Sequence, residues 1–126
     1  MRTVAVLLVL VVATGVWAEG QAAAPLTPAE AAKKANEKVT VEMEVKSTGG
    51  KSNCYLNSEA DYKDAKNFTI LIPEAALVKF KAAKIDDPRE HFKGKVVRVT
   101  GTVTTNRDKP QIKVESPDQI VTIEKK

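Results

Sequence analysis

The stretch "KVVRVTGTVTT", residues 95–105, constrains the fold more than any other part of the chain. Successive side chains of an extended strand point to opposite faces. Val97, Val99, Gly101 and Val103 therefore share one face, and Arg98, Thr100, Thr102 and Thr104 the other. An alternation sustained this far predicts a long strand with one side in a core and one in solvent. A glycine inside such a strand marks a bulge or a close bend. The sheet it belongs to is expected to curl.

The same period appears earlier. In "KVTVEMEVKS", Val39, Val41, Met43 and Val45 alternate with Thr40, Glu42, Glu44 and Lys46. Gly49-Gly50 then predicts a tight hairpin, since both residues tolerate positive φ. The returning strand "SNCYLN" puts Cys54 and Leu56 on one face and Tyr55 on the other. A polar loop over residues 58–66 leads to "NFTILI", with Phe68, Ile70 and Ile72 inward and Pro73 as its stop. "PEAALVKFKAAKI" changes to helical spacing, with Leu77, Phe80, Ala83 and Lys84 on one side. "DDPREHF" reads as a turn with a short helical stretch. The fifth strand, "PQIKVE", places Ile112 and Val114 inward and opens on Pro110, where a strand tolerates proline. "SPDQIVTIEKK" adds a turn and an edge segment with Ile120 and Ile123.

The N-terminal end has a different character. Arg2 precedes an apolar run from Val4 to Val12 that ends in "ATGVWA". The run is short for a membrane span and polar residues follow at once, which predicts a removed export signal over residues 1–18. The cut falls after Ala18, or after Ala24 at the second small-residue site in "QAAA". The mature protein is then exported, periplasmic or secreted, with no membrane span. Residues 19–26 form a flexible leader and residues 27–126 a single domain. "TPAE" begins a helix: Thr27 caps it, Pro28 suits its first position and Glu30 completes a capping box. This alanine-rich flanking helix is expected to run to about Ala35 and end at Asn36.

A chain of this size buries enough surface to fold without covalent staples. That matters because Cys54 is the only cysteine; it reads as a small buried apolar residue. Lys and Arg number 20 against 16 Asp and Glu, a net charge of +4 that loses one unit with Arg2. Such a surface permits a polyanionic partner without demanding one.

Three strands, a helix, then two strands is the layout of a five-stranded Greek-key OB-fold barrel. The segments "NEKVTVEMEVKSTGGKSNCYLNSEADYKDAKNFTILI" and "HFKGKVVRVTGTVTTNRDKPQIKVESPDQI" also resemble the small exported bacterial OB-fold proteins of nucleic-acid-binding-like type. The shared features are a "KGK…V-GxV" strand, a "KPQI" entry to the last strand and a "P-x-QI" close, and the resemblance covers residues 36–120. It implies an all-β domain with accessory helices, one between strands three and four and one flanking the N-terminus.

No catalytic constellation emerges. His91 is the sole histidine, and Arg89 and Lys93 beside it are expected to lower its pKa. The chain has no H-E-x-x-H, G-x-S-x-G or glycine-rich phosphate loop, and its scattered carboxylates give no metal spacing. The expectation is a non-enzymatic binding module, monomeric and without a cofactor. In OB-folds the loops joining strands 1–2 and 4–5 flank a groove across strands 2 and 3. Here those loops carry Lys46, Lys51, Arg107 and Lys109, with Arg98 and Lys113 outward on neighbouring strands and Tyr55 as a stacking platform. These seven are the candidate ligand-binding residues, for single-stranded nucleic acid or another polyanion. Tyr62 is the other tyrosine outside the expected core. The alternative is a module with no nucleic-acid ligand, either purely structural or docking an envelope protein on the outward threonines.

Overall fold

The structure is a computed structural model that describes residues 24–123. The expected export segment lies outside the described residues, as do most of the leader and the last three positions. Among the described residues no helix is long and apolar enough to cross a membrane.

Seven strands form one mixed sheet: β1 (Lys38–Glu44), β2 (Ser47–Gly49), β3 (Cys54–Asn57), β4 (Thr69–Ile72), β5 (Val96–Asn106), β6 (Lys109–Lys113) and β7 (Ile120–Ile123). Their order is β1-β5-β6-β4-β3-β2, with β7 on β5. Only the β4–β6 pair is parallel. The architecture is mostly β with a few helices, as expected, but the strand count is corrected from five to seven and the ladder does not close. The first long strand breaks at Val45 and Lys46 because the chain changes partner there. Gly94 N–H donates to the Val45 carbonyl and Val45 N–H to that of Lys95, while Lys46 N–H donates to Asn57 on β3. The ends of the sheet, β1 and β2, are thus joined by the chain and not by a ladder. The seventh strand is the C-terminal segment, which pairs Ile120 with Val99 and Ile123 with Val96.

The alternating apolar residues fill one core. Val41, Met43, Val45, Cys54, Leu56, Phe68, Ile70, Ile72, Val97, Val99, Val103, Ile112 and Val114 are all buried. Two helices close this core between β4 and β5. α2 (Glu74–Ala82) buries Ala76 and Phe80, and α3 (Pro88–Phe92) buries Phe92. The two phenylalanine rings meet edge to face, 6.4 Å between centroids, a favoured aromatic geometry. Ala83 and Lys84, expected on the inner side, are exposed. The helix stops at Ala82, and Lys84 at φ 73° turns the chain away.

The N-terminal helix α1 (Pro28–Ala31) has the expected capping box, with Thr27 and Glu30 each bonded to the other's backbone N–H. It is four residues long and does not reach Ala35. Only Ala31 is buried, so there is no apolar face to prolong it. Beyond it, Asn36 takes φ 70° and its N–H donates to Val103 on β5.

Gly101 works by close approach and not as a bulge, since its ladder with β1 is continuous. Beyond Thr102 the strand leaves β1 and pairs with β6 instead. A Cβ on Gly101 would lie 2.6 Å from Ile112 Cγ2 and 3.3 Å from Gln119 Nε2. Gly101→Ala should therefore cost about 1–3 kcal/mol by overpacking. Urea denaturation reads this as a lower midpoint, while Gly49→Ala, with open space around its Cβ, should shift it far less.

Candidate functional site

The Asn106-Arg107-Asp108-Lys109 segment is a two-residue hairpin. Asn106 pairs with Lys109, and Arg107 and Asp108 take φ 53° and 65°. Two consecutive left-handed residues match the twist of the flanking strands. Asp tolerates that conformation, whereas Arg adopts it at some cost. The turn is also one wall of a groove of about 820 Å³.

The floor of the groove follows from strand parity. With Leu56, Ile70 and Ile112 inward, Ser47, Asn57, Thr69 and Gln111 occupy one cross-strand row over four strands and line the groove, and the row continues to Thr104 on β5, which lines the neighbouring depression instead. The β2–β3 connection forms a second wall. Its tight-hairpin expectation is corrected: Gly49 pairs with Tyr55 in the ladder, and residues 50–53 make the turn. Only Gly50 is left-handed there, at φ 97°. A Cβ on it would lie 2.1 Å from the Asn53 carbonyl and 2.7 Å from Tyr55 Cδ2. Arg89 holds this turn, donating from Nη1 to the carbonyls of Gly50 and Lys51 at 2.8 and 3.0 Å and from Nε to Asp87 at 3.0 Å. The turn in turn supports α2, because Asn53 Oδ1 accepts from Glu74 N–H.

The loop over residues 58–66 is the third wall, and a polar cluster fixes it. Asn67 is 3% exposed. Its amide donates to Asn57 Oδ1, the Tyr62 carbonyl and Thr69 Oγ1, and its Oδ1 accepts from Glu59 N–H. Ser47 Oγ donates to the Glu59 carbonyl and Ser58 Oγ accepts from Phe68 N–H. Every buried side-chain polar atom among the described residues has a partner. This loop carries Tyr62, 64% exposed, with Lys63 Nζ 5.9 Å from its ring centroid. Lys109 Nζ reaches across from β6 and donates to the Lys63 carbonyl at 3.3 Å.

Of the seven residues singled out in the sequence, the groove brings together Tyr55, Arg107 and Lys109. Tyr62 and Lys63 join them, with Asp61 as the opposing charge. The other four lie elsewhere. Lys46 is exposed at the break between β1 and β2, and Lys51 is exposed in the β2–β3 turn. Arg98 sits on the β1–β5 face, paired with Glu42 at 2.8 Å. Lys113 lines a separate, shallower depression of about 640 Å³ beside Gln119 and lies 3.9 Å from Glu115. Sequence reading missed Lys63, Arg89 and Gln111. Gln111 has a legible signal, since it shares the parity of Lys113 and opposes that of Ile112; Lys63 has none.

Two titratable groups belong to the packing. Cys54 is fully buried, and desolvation pushes its thiol up from 9.0 to about 12, against a downward pull from Arg89 and with a smaller upward push from Asp87. His91 is lowered first by burial and then by Lys95, not by Arg89 and Lys93 as expected. No group of three or more metal-ligating side chains gathers among the described residues.

No family model and no curated protein matches the chain. Solved structures do. A chain described as an aspartyl-tRNA synthetase from Leishmania major Friedlin aligns at a TM-score of 0.54 and 13% identity, over 90% of this chain and 22% of that one. The asparaginyl-tRNA synthetase from Pyrococcus horikoshii aligns at 0.53 and 15%, over 79% of this chain and 23% of its own. The protein thus spans less than a quarter of either neighbour. At these identities the likeness is one of fold, and the fold is OB-like.

Two outcomes follow. Asn67→Ala strands the Asn57 and Glu59 groups it satisfied, a loss of about 1–3 kcal/mol, and proteolysis should cleave first within residues 58–66. The Cys54 thiol is harder to ionise folded than unfolded, so its contribution is complete below pH 9 and is lost as pH rises towards 12. Urea midpoints from pH 8 to pH 10.5 should fall, and Cys54→Ala should flatten that part of the fall.

Proposed function

We propose that this protein is an exported, monomeric, non-enzymatic OB-fold module that binds single-stranded nucleic acid, or a polyanion of similar charge spacing, in the groove between the β2–β3 turn, the 58–66 loop and the β5–β6 turn. The observation that carries the proposal is the convergence of both tyrosines, Tyr55 and Tyr62, with Lys63, Arg107 and Lys109 on one groove. Single-strand binders combine these two elements, cations along the backbone and aromatic faces for the bases. The OB-like fold supports the reading, since such folds bind oligonucleotides at this position; both neighbours are named for tRNA. Export is supported by the apolar N-terminal run alone.

The chemistry divides by residue. Arg107 and Lys109, which both line the groove at the β5–β6 turn, meet phosphates there. Tyr62 offers a ring on a loop already ordered by Asn67. Tyr55 lies lower, with one edge against Gly50.

Fluorescence anisotropy with a labelled single strand tests this. Three cations predict a log-log salt slope of about −2, at about −0.7 per neutralised phosphate. Lys109→Ala should flatten it by roughly 0.7. Tyr62→Ala should weaken binding about 5- to 150-fold, the range for one lost stacking partner. Arg98→Ala, on the far β1–β5 face, should change neither quantity. No binding tighter than about 0.1 mM at low salt, the weak end of non-specific affinity, removes the proposal.

A further inference from the structure

The polar row on the groove floor divides into two kinds of side chain. Ser47, Asn57 and Thr69 are engaged with one another, with Asn67 or with the Glu59 carbonyl. Their hydrogen-bonding capacity holds the loop. Gln111 stands next in the row, between Thr69 on β4 and Thr104 on β5. It is half-buried, lines the groove, and its side-chain amide makes no hydrogen bond among the described residues. Asn106 also lines the groove but is exposed at the turn, where water competes for it. A partly desolvated amide with two donors and one acceptor unengaged discriminates more sharply, because a ligand that leaves it unpaired forfeits the contacts it had with water.

Gln111 also sits at a useful distance from a cation. Lys109 is two residues earlier on the same face of β6, about 7 Å along the strand. One nucleotide spans that interval from its phosphate to the edge of its base. Phosphate contacts position a strand without reading it; side-chain amides read base edges, and their matched pairing is with adenine, donor to N7 and acceptor from N6.

We infer that Gln111 is a specificity-determining residue that reads the edge of one base, with adenine favoured. The inference rests on the groove proposed above and makes its ligand a nucleic acid strand, not a polyanion of charge alone. A residue that merely packed against the strand would not distinguish one base from another.

The test is anisotropy with labelled homo-oligonucleotides of dA, dC and dT, and with inorganic polyphosphate as competitor. Wild-type protein should bind dA at least about fivefold tighter than dC or dT, the lower bound for one bidentate base contact. Gln111→Met keeps the side-chain length and removes the amide; Gln111→Thr keeps a strand-forming residue there. Both should bring the three affinities within about twofold while leaving the salt slope unchanged. Wild-type binding without a preference for dA overturns the inference and leaves the groove reading intact. So does a preference that both variants keep, or polyphosphate that competes as well as the best strand. If no strand binds at all, the groove reading falls first and the inference with it.

Discussion

Everything on the outer face depends on how closely β6 approaches β5 at Gly101. Ile112 Cγ2 occupies the space where a Cβ would stand, and Ile112 pairs directly with Val103. That contact sets the register of β6. Because side chains alternate strictly, a one-residue slip would send Lys109, Gln111 and Lys113 into the core and Pro110 and Ile112 outward. The parallel pairing of β4 with β6 then aligns Thr69 with Gln111, and the antiparallel pairing of β3 with β4 aligns Asn57 with Thr69. A steric fact at one glycine thus determines which groups share the groove floor four strands away.

The parts legible in the sequence are those that parity governs. Val39 to Val45, Cys54 and Leu56, Phe68 to Ile72 and Val97 to Val103 alternate so regularly that their inward faces follow from the order of letters. The Thr27–Glu30 box is equally local. What escaped is where one element changes partner or borrows a group from another. The break at Val45 and Lys46 exists because the Lys95 carbonyl, the Gly94 N–H and the Asn57 carbonyl lie beside it in space. Gly49-Gly50 looked like the centre of a two-residue turn, but Arg89, some 40 positions later, clasps the carbonyls of a wider one. Arg98 and Lys113 were read correctly as outward; outward on a curled sheet is several directions, and Arg98 faces away towards Glu42. Tyr55, Arg107 and Lys109 converge because the β2–β3 and β5–β6 turns beside them border the same groove.

The polar cluster beneath the 58–66 loop shows how a site can be ordered without a ligand. A loop of this length rich in Asp, Lys and Ala has little apolar surface to bury, and holding it costs backbone entropy at each residue. Asn67 and its neighbours offset that cost through bonds shielded from water, where hydrogen bonds are electrostatically stronger. Tyr62 is therefore presented by an ordered segment, and a ligand stacking on it would not also have to order the loop, a saving of the kind that separates preorganised from induced sites.

The same economy limits how tightly the groove can hold an anion. Lys109 already donates to the Lys63 carbonyl, and Lys63 already lies over the Tyr62 ring. A phosphate approaching Lys109 exchanges one acceptor for another, and a base approaching that face of Tyr62 displaces a cation. Among the described residues only Lys109 of the three cations has a side-chain hydrogen bond, and Arg107 has neither a hydrogen bond, an ion pair nor an aromatic partner. Charge then contributes mainly steering and salt dependence, and discrimination falls to groups that are half-buried and unengaged before the ligand arrives. Along the row from Ser47 to Thr104, Gln111 is the one that meets both conditions.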